Sequence, residues 1–278
     1  MGRRIPRNLF YALLTLMLLL AFSACGPETP SEPADSPAEN GTTGESSEPG
    51  GEDHEEAPPA LPEDAPDTVS ADLHLDPATA AMDDADSLLV SQYIYDRLVG
   101  VDADGNVVPA LAESWTMSED QLDIIFVLRP DGQFHDGTPI TADIVMANFN
   151  RWFDPEHALR GDGAYEGWEH YFLGFKGDLN PDDTPVSSFD GIEKVDDRTV
   201  LVHLNRIVPD VLEILTQPFF SILDPDKLAE GDYGMSAEGV NGSGPYQIGD
   251  WSDTALTLSP FDSYWGTPPA ESIEFGLE

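Results

Sequence analysis

The pattern of apolar and polar residues divides the chain into three parts. A short apolar run follows three arginines near the start, a long stretch almost without large apolar residues comes next, and periodic patterns begin near Thr68. A basic head before a short apolar run is typical of a secretory signal, and a stretch rich in Pro, Glu, Ser and Gly cannot bury enough surface to fold. We predict a signal peptide at 1–24, a disordered acidic tether at 25–67 and a folded body at 68–278.

Periodicity within the folded body predicts alternating helices and strands. The predicted elements are an amphipathic helix over 87–100, a hairpin around 102–106, a strand over 124–128, a helix from Ala142, a short helix at 168–172, a strand at 200–204, a helix after Pro209, and two or three strands after Asn241. Mixed elements of this kind indicate an α/β fold.

The sequence DADGN at 102–106 begins like a calcium loop, because Asp102, Asp104 and Asn106 alternate. In a calcium loop the glycine comes one position later and a glutamate closes the loop. Neither requirement is met here, so we interpret the segment as the turn of a hairpin.

The stretch FHDGTPITADIV at 134–145 raises the question whether His135 and Asp136 carry chemistry. The pair could form a proton relay or half of a metal site. The stretch is also rich in turn residues, and Thr141 is a good N-cap for the helix that follows. Because no further ligand or nucleophile lies nearby in the sequence, we predict that the pair holds a loop at a strand-to-helix corner.

The charge of the chain excludes one class of function. The chain has 12 basic and 53 acidic residues, a net charge of −41 at pH 7. Such a polyanion repels nucleic acid, so we predict no nucleic-acid partner. The charge is expected to keep the protein soluble and does not by itself identify a cationic ligand.

Catalytic and metal-binding motifs are missing from the sequence. It has no Gly-rich phosphate loop and no G-x-S-x-G elbow, and the spacing of His157 and His170 fits no common zinc pattern. With so many acids, paired carboxylates occur by chance and none has a diagnostic context. We therefore predict no enzyme activity, no cofactor and no resident metal.

Cys25 is the only cysteine, which excludes a disulfide within the chain. It directly follows the apolar run, where bacterial lipoprotein signals place the cysteine that receives lipid. The sequence FSAC resembles such a lipobox, although Phe22 stands where leucine is usual. We predict lipidation of Cys25 and attachment to the membrane; the alternative is an ordinary signal with an incidental thiol.

Five motifs follow one another along the folded body. They are LDPA from Leu75, YIYDRLVGVDADGNVVPALAESW from Tyr93, FVLRPDGQFHDGTPITADIV from Phe126, NGSGPYQIGDW from Asn241 and FDSYWG from Phe261. In order and spacing they resemble the family-5 extracellular solute-binding proteins, the oligopeptide-, dipeptide- and nickel-binding receptors of ABC importers. Each motif alone would be weak evidence, and the five in sequence carry the resemblance.

The resemblance implies an α/β fold with mixed sheets, of the periplasmic-binding-protein-like type II, with an inserted subdomain at about 106–190. It implies a monomeric, lipid-anchored receptor on the extracellular face of the membrane or in the periplasm. Such a receptor binds a small-molecule solute, here expected to be a peptide, and delivers it to an ABC permease and ATPase complex. In that family the FHDG stretch lies away from the solute.

The resemblance also implies which residues line the solute cleft. In the family, the loop after LDP and the GSGPY turn border a cleft between two lobes. Carried onto this sequence, the cleft residues are Met82, Asp83 and Asp84 from the loop, Ser243, Gly244 and Pro245 from the turn, and Tyr165 from the irregular segment between them. The alternative for each residue is a surface loop or a tight turn.

One departure from the family pattern concerns length. Family members usually continue well beyond the strand after YWG, with a second lobe that carries the other wall of the cleft. We therefore expect an amino-terminal lobe without its carboxy-terminal partner, and weak affinity for solute on its own. Two other functions stay open: a secreted hydrolase, and a signalling or scaffold lipoprotein that has lost transport.

Overall fold

The computed structural model describes residues 59–62, 65–231 and 233–278. The predicted signal peptide and most of the predicted tether, with Cys25, lie outside these ranges. None of the helices within the ranges combines the length and hydrophobicity needed to cross a membrane.

Strands and helices alternate along the described part of the chain. The strands are β1 Thr68–Val69, β2 Val99–Val101, β3 Val107–Pro109, β4 Ala112–Met117, β5 Asp123–Leu128, β6 Phe189–Asp196, β7 Thr199–Leu204, β8 Tyr246–Trp251, β9 Ala255–Pro260 and β10 Ile273–Leu277. The helices are α1 Ala85–Ile94, α2 Ala142–Phe153, α3 Glu166–Phe172, α4 Val211–Ile214 and α5 Pro225–Leu228, with a 3-10 helix at Pro218–Phe220.

The strands form two four-stranded sheets and one hairpin. The first sheet has the order β1-β10-β9-β8 and is mixed, because β1 runs parallel to β10 while the other pairs are antiparallel. The second sheet, β4-β5-β7-β6, is antiparallel throughout. Strands β2 and β3 form the hairpin that DADGN predicted, and the Asp102 carboxylate accepts from the backbone N–H of Asn106 at 2.8 Å. The predicted mixed α/β fold is confirmed.

Each four-stranded sheet contributes to its own hydrophobic core. The core of the second sheet includes Phe126, Phe149, Trp152, Trp168 and Phe189. The core of the first sheet includes Val90, Tyr93, Leu256, Leu258 and Phe275. The strands of the second sheet end at Leu204, and the inserted subdomain at about 106–190 stays a prediction.

Helix α2 shows how the sequence directs the packing of the second sheet. Thr141 occupies the N-cap position as predicted, although its hydroxyl makes no capping hydrogen bond. Phe149 and Trp152 are buried, as an apolar stripe at helical spacing requires. Asp143 in the first turn forms an ion pair with Lys194 of β6 at 2.8 Å. The helix therefore lies across the sheet with its acidic start at the surface.

The helix predicted over 87–100 is too long. Helix α1 ends at Ile94, because Tyr95 has an extended backbone with φ −123° and ψ 140°. The apolar residues that follow belong to β2, which pairs with β3 in the hairpin. A contiguous run of apolar residues fits a strand as well as a helix, and here the pairing with β3 decides in favour of the strand.

The described residues before Thr68 contact strand β2. The backbone N–H of Ala60 donates to the carbonyl of Val101 at 2.8 Å. Pro59 lies over Gly100, where an added Cβ would come within 2.4 Å of the proline ring. Because Gly100 has no side chain, the segment before β1 can approach β2 closely enough to contact it.

Candidate functional site

The loop at 76–84, which follows Leu75, is fixed at its base by a buried ion pair. Asp76 is 5% exposed, and its two carboxylate oxygens accept from Arg151 of α2 at 2.6 and 2.9 Å. Asp76 also accepts from the backbone N–H of Ala78 at 3.2 Å. Burial lowers the pKa of Arg151, but the Asp76 carboxylate outweighs burial, so the pKa is raised overall. The guanidinium therefore stays charged and holds the start of the loop.

The far end of this loop is fixed by two further hydrogen bonds. The backbone N–H of Met82 donates to the carboxylate of Glu166, the first residue of α3, at 3.2 Å. Asp84 is the N-cap of α1 and accepts from the backbone N–H of Ser87 at 3.1 Å. Between these anchors, the side chains of Met82 and Asp83 are exposed. Their predicted contact with a solute stays a prediction, and their exposure is compatible with it.

Tyr165 lies beside the loop, but it is fully buried. It stands directly before α3 with a left-handed backbone, φ 54°. Its hydroxyl accepts from Arg151 at 3.3 Å and donates to the carbonyl of Arg160, whose guanidinium lies 3.9 Å above the ring. Burial raises the pKa of Tyr165 to about 12, so the hydroxyl keeps its proton. Tyr165 therefore lies beside the predicted loop as a buried, hydrogen-bonded residue and is not part of the exposed surface.

The turn of Ser243, Gly244 and Pro245 is also buried. The backbone N–H groups of Ser243 and Gly244 donate to the carbonyl of Ile94 at 3.0 and 2.8 Å, and the Ser243 hydroxyl accepts from the backbone N–H of Asp96 at 3.0 Å. These bonds satisfy the last carbonyl of α1. The resemblance implied that this turn lines the cleft, which stays a prediction; the structure buries its three residues at the end of α1.

The prediction that His135 and Asp136 hold a loop is confirmed. The His135 backbone N–H donates to the carbonyl of Gly242 at 2.8 Å, and its Nε2 lies 3.1 Å from the carbonyl of Gly244. The Asp136 backbone N–H donates to the side-chain oxygen of Asn241 at 3.2 Å. Since a carbonyl oxygen only accepts, the imidazole carries its proton on Nε2.

These contacts join two stretches for which the resemblance implied different positions. The FHDG stretch was expected to lie away from the cleft, whereas the GSGPY turn was expected to line it. The structure places the two in direct contact through His135 and Gly244. Which of the two stretches contacts a solute stays a prediction.

His135 predicts a measurable dependence of stability on pH. Burial lowers its pKa from 6.5 to about 4. Because the unfolded state then binds the proton more readily, the stability that depends on neutral His135 is lost as pH falls from about 6.5 to about 4. We expect this contribution to change by about 2–3 kcal/mol over the window. Urea unfolding of the unmodified chain and of His135→Gln at several pH values measures the difference.

The comparison with His135→Gln is needed because the ionisation of Asp96 changes the stability with pH in the opposite direction. Burial raises the pKa of Asp96 from 3.8 to about 6, so its contribution falls as pH rises through that window. A variant of the exposed His170, His170→Gln, is the control and should follow the unmodified chain. The pH dependence would not come from His135 if the difference in stability between the unmodified chain and His135→Gln were the same at every pH.

Asp96 joins two sequence motifs that local pattern analysis left unconnected. Its buried carboxylate accepts from the Trp265 indole N–H at 2.6 Å and from the Tyr264 hydroxyl at 3.2 Å. The guanidinium of Arg129 lies 3.4 Å above the Trp265 ring. The FDSYWG motif is therefore attached to the end of α1 beside the GSGPY turn. The acid of YDRL was the only signal in the sequence for this contact.

Metal-binding clusters of the usual kind do not occur in the part of the chain that the structure covers. No group of three or more His, Cys, Asp or Glu side chains is placed there so that it could hold a metal ion. The loop at 76–84 exposes a thioether and a carboxylate on a backbone that is fixed at both ends.

Comparison with known proteins gives a consistent result in sequence and in structure. The sequence model described as bacterial extracellular solute-binding proteins, family 5 middle, matches residues 106–276. The glutathione-binding protein GsiB of Salmonella typhi is 29% identical over 202 residues, and the di/tripeptide-binding protein 4 of Pseudomonas aeruginosa is 31% identical over 184 residues. These matches cover 72% and 62% of this chain.

Solved structures share the fold. The periplasmic binding protein DppA of Helicobacter pylori, in complex with the peptide STSA, superposes with a TM-score of 0.62 and 25% identity. HbpA2 of Haemophilus parasuis gives a TM-score of 0.62 and 28% identity. Each match covers 76% of this chain, but only 41% and 42% of the solved chains.

The matches therefore concern part of a larger architecture. The chain spans 35% of the length of the glutathione-binding relative and 32% of the di/tripeptide-binding one. The mixed sheets, the order of the motifs and the superpositions agree on a periplasmic-binding-protein type II fold. The chain belongs to the bacterial extracellular solute-binding proteins of family 5.

Proposed function

We propose that this chain is the solute-recognising part of an extracellular receptor that binds peptides or similar small solutes. In this proposal it delivers them, as a monomeric subunit, to an ABC permease and ATPase complex. The family and the names of the relatives, which include glutathione-binding and di/tripeptide-binding proteins, support this function. The observation that carries it is the loop at 76–84, held from below by the Asp76–Arg151 pair while Met82 and Asp83 are exposed.

Recognition by this loop would require no covalent chemistry. A backbone fixed before the ligand arrives costs little ordering entropy on binding. The Met82 thioether is polarizable and adapts to different apolar groups, and Asp83 offers a carboxylate to a polar group of the solute.

Membrane attachment through Cys25 is part of the proposal. The lipobox-like FSAC sequence supports it, and the acidic segment that follows would hold the folded body away from anionic headgroups. Lipid on Cys25 would place the receptor on the extracellular face of the membrane or in the periplasm. Because Cys25 is the only cysteine, detergent-phase partitioning of the chain and of Cys25→Ser tests the anchor directly; equal partitioning of the two would overturn it.

Substitution of the exposed loop residues tests the proposed site. We expect the double variant Met82→Ala with Asp83→Ala to bind a mixture of dipeptides, tripeptides and glutathione about tenfold more weakly, since about 1.4 kcal/mol of contact is removed. The matched control combines Asp104→Ala and Leu179→Ala, an exposed acid and an exposed apolar residue elsewhere on the surface. Isothermal titration measures both variants, and equal affinities would show that the loop is not the site.

A further inference from the structure

Arg97 is a buried arginine whose guanidinium has no hydrogen-bonding partner in the described part of the chain. It lies between α1 and β2 and is 8% exposed. Its Nε and Nη1 atoms are enclosed by protein and donate to no acceptor among the described residues. A guanidinium keeps its charge inside proteins, and a buried charge without a partner is costly. The position therefore requires an explanation.

The neighbouring carboxylate of Asp96 does not supply the missing partner. Its oxygens accept from the Trp265 indole N–H and the Tyr264 hydroxyl instead. No hydrogen bond joins Asp96 to the guanidinium of Arg97, so Asp96 acts on it only through its charge. That charge offsets only part of the effect of burial, and the pKa of Arg97 is lowered.

Arg151 shows how the same fold holds a buried guanidinium that stabilises it. Both carboxylate oxygens of Asp76 accept from Arg151, at 2.6 and 2.9 Å, and the pKa of Arg151 is raised. Arg97 has no such pair among the described residues, and its pKa moves in the opposite direction. Since both side chains are buried, the difference between them is the partner. Stability of the fold therefore does not explain Arg97.

The position of Arg97 connects it to the predicted cleft. The backbone N–H of the preceding residue, Asp96, donates to the Ser243 hydroxyl at 3.0 Å. Ser243 belongs to the turn that the resemblance implied as cleft lining. The third guanidinium nitrogen, Nη2, is not among the enclosed atoms. An acceptor that arrives from solvent can therefore reach the guanidinium at Nη2.

We propose that Arg97 is an anion subsite of the receptor and binds a free carboxylate of the solute. The inference rests on the proposed receptor function and adds a class of solute to it. The terminal carboxylate of a peptide is ionised at neutral pH, and its hydrogen bonds to a guanidinium are charge-assisted. Because the chain has 53 acidic and 12 basic residues, it repels anions as a whole, and an anionic solute needs a local cation.

The fork of the guanidinium suits this ligand. A carboxylate can accept from Nη2 and Nη1 of one arginine at the same time. Such a ligand would give the enclosed Nη1 the partner that the described residues do not supply, after a small displacement of the atoms around it. The cost of the buried charge would then be recovered when the solute binds.

Unfolding of the ligand-free chain tests whether Arg97 serves the fold itself. We expect Arg97→Met to unfold at the same urea concentration as the unmodified chain or at a higher one, because the substitution removes a buried charge that has no partner. Arg151→Met is the matched control and should unfold at a lower urea concentration. A lower midpoint for Arg97→Met than for the unmodified chain would overturn the inference, because Arg97 would then stabilise the fold.

Isothermal titration with peptide acids and peptide amides tests the ligand. The probes are a mixture of dipeptides and tripeptides without acidic side chains, and the same mixture amidated at the carboxyl terminus. We expect the unmodified chain to bind the acids about tenfold more tightly than the amides, since amidation removes the charge that Arg97 recognises. Arg97→Met should lose this preference, whereas Lys227→Met, which removes an exposed cation, should keep it.

The outcomes separate this inference from the receptor function. Equal affinities of the unmodified chain for acids and amides, or a preference for acids that persists in Arg97→Met, would overturn the anion subsite and leave the receptor function intact. No heat with any of these peptides would contradict both. Circular dichroism checks that each variant is folded before titration.

Discussion

Replacing Arg151 with methionine is expected to lower the free energy of unfolding by about 3–5 kcal/mol. The substitution keeps much of the side-chain volume but leaves the Asp76 carboxylate buried without its partner. Arg151 is fully buried and makes two hydrogen bonds to Asp76. Urea unfolding at neutral pH measures the loss.

Two comparisons make this prediction specific to a buried pair. Lys227→Met breaks the exposed ion pair with Glu230, at 3.3 Å, and is expected to cost about 1 kcal/mol or less. The double variant Asp76→Asn with Arg151→Met removes both charges and should recover part of the loss, because no charge stays buried alone. A loss for Arg151→Met no larger than that for Lys227→Met would contradict the prediction.

Replacing Trp168 with alanine is expected to cost about 3–5 kcal/mol, because a large side chain leaves a cavity that the surroundings fill only partly. Trp168 of α3 is 2% exposed, stacks on Phe172 at 4.6 Å between ring centroids, and donates to the carbonyl of Gly174 at 3.0 Å. Because α3 begins at Glu166, which holds Met82, we also expect faster hydrogen exchange at residues 77–84.

Graded substitutions test the role of Trp168. Trp168→Phe keeps most of the packing and should lower the free energy of unfolding by less than half as much as Trp168→Ala. Trp251→Ala, at a half-buried position on β8, should also cost less stability than Trp168→Ala and should leave hydrogen exchange at residues 77–84 unchanged. Unfolding by urea and hydrogen exchange followed by mass spectrometry give both readouts. Loss of stability without faster exchange in the loop would show that α3 does not support it.

Local sequence patterns predicted the elements well where one structural period was clear. Helix α2, its N-cap at Thr141 and strand β5 could be placed because turn residues and apolar periodicity agree there. Helix α1 could not be bounded, because the apolar residues after Ile94 fit a helix and a strand equally. Only the pairing of β2 with β3, which is a tertiary contact, distinguishes the two.

The candidate site was harder to predict, because its contacts join distant parts of the chain. Asp76 and Arg151 are 75 residues apart, and no spacing rule connects them. One signal was available: Asn148 and Arg151 are polar residues on the buried face of α2, and buried polar groups require partners. Asn148 indeed exchanges hydrogen bonds with the backbone of Leu223 at 2.8 and 3.1 Å.

The resemblance implied that the loop at 76–84 lines the cleft but could not distinguish its exposed residues from buried ones. Met82 and Asp83 are exposed, whereas Tyr165 and Ser243 are buried and bonded within the unit. A motif records that a residue belongs near a site. Whether its side chain reaches the surface depends on packing, which only the assembled fold determines.

Isothermal titration of the full-length chain with glutathione and with a mixture of dipeptides and tripeptides, followed by mass spectrometry of the recovered ligand, tests the central claim most directly. If the protein binds a solute without changing it, we expect saturable heat with at least one of these ligands. That ligand should then be recovered unaltered. A cleaved or modified ligand, or no heat with any of these ligands, would contradict the account.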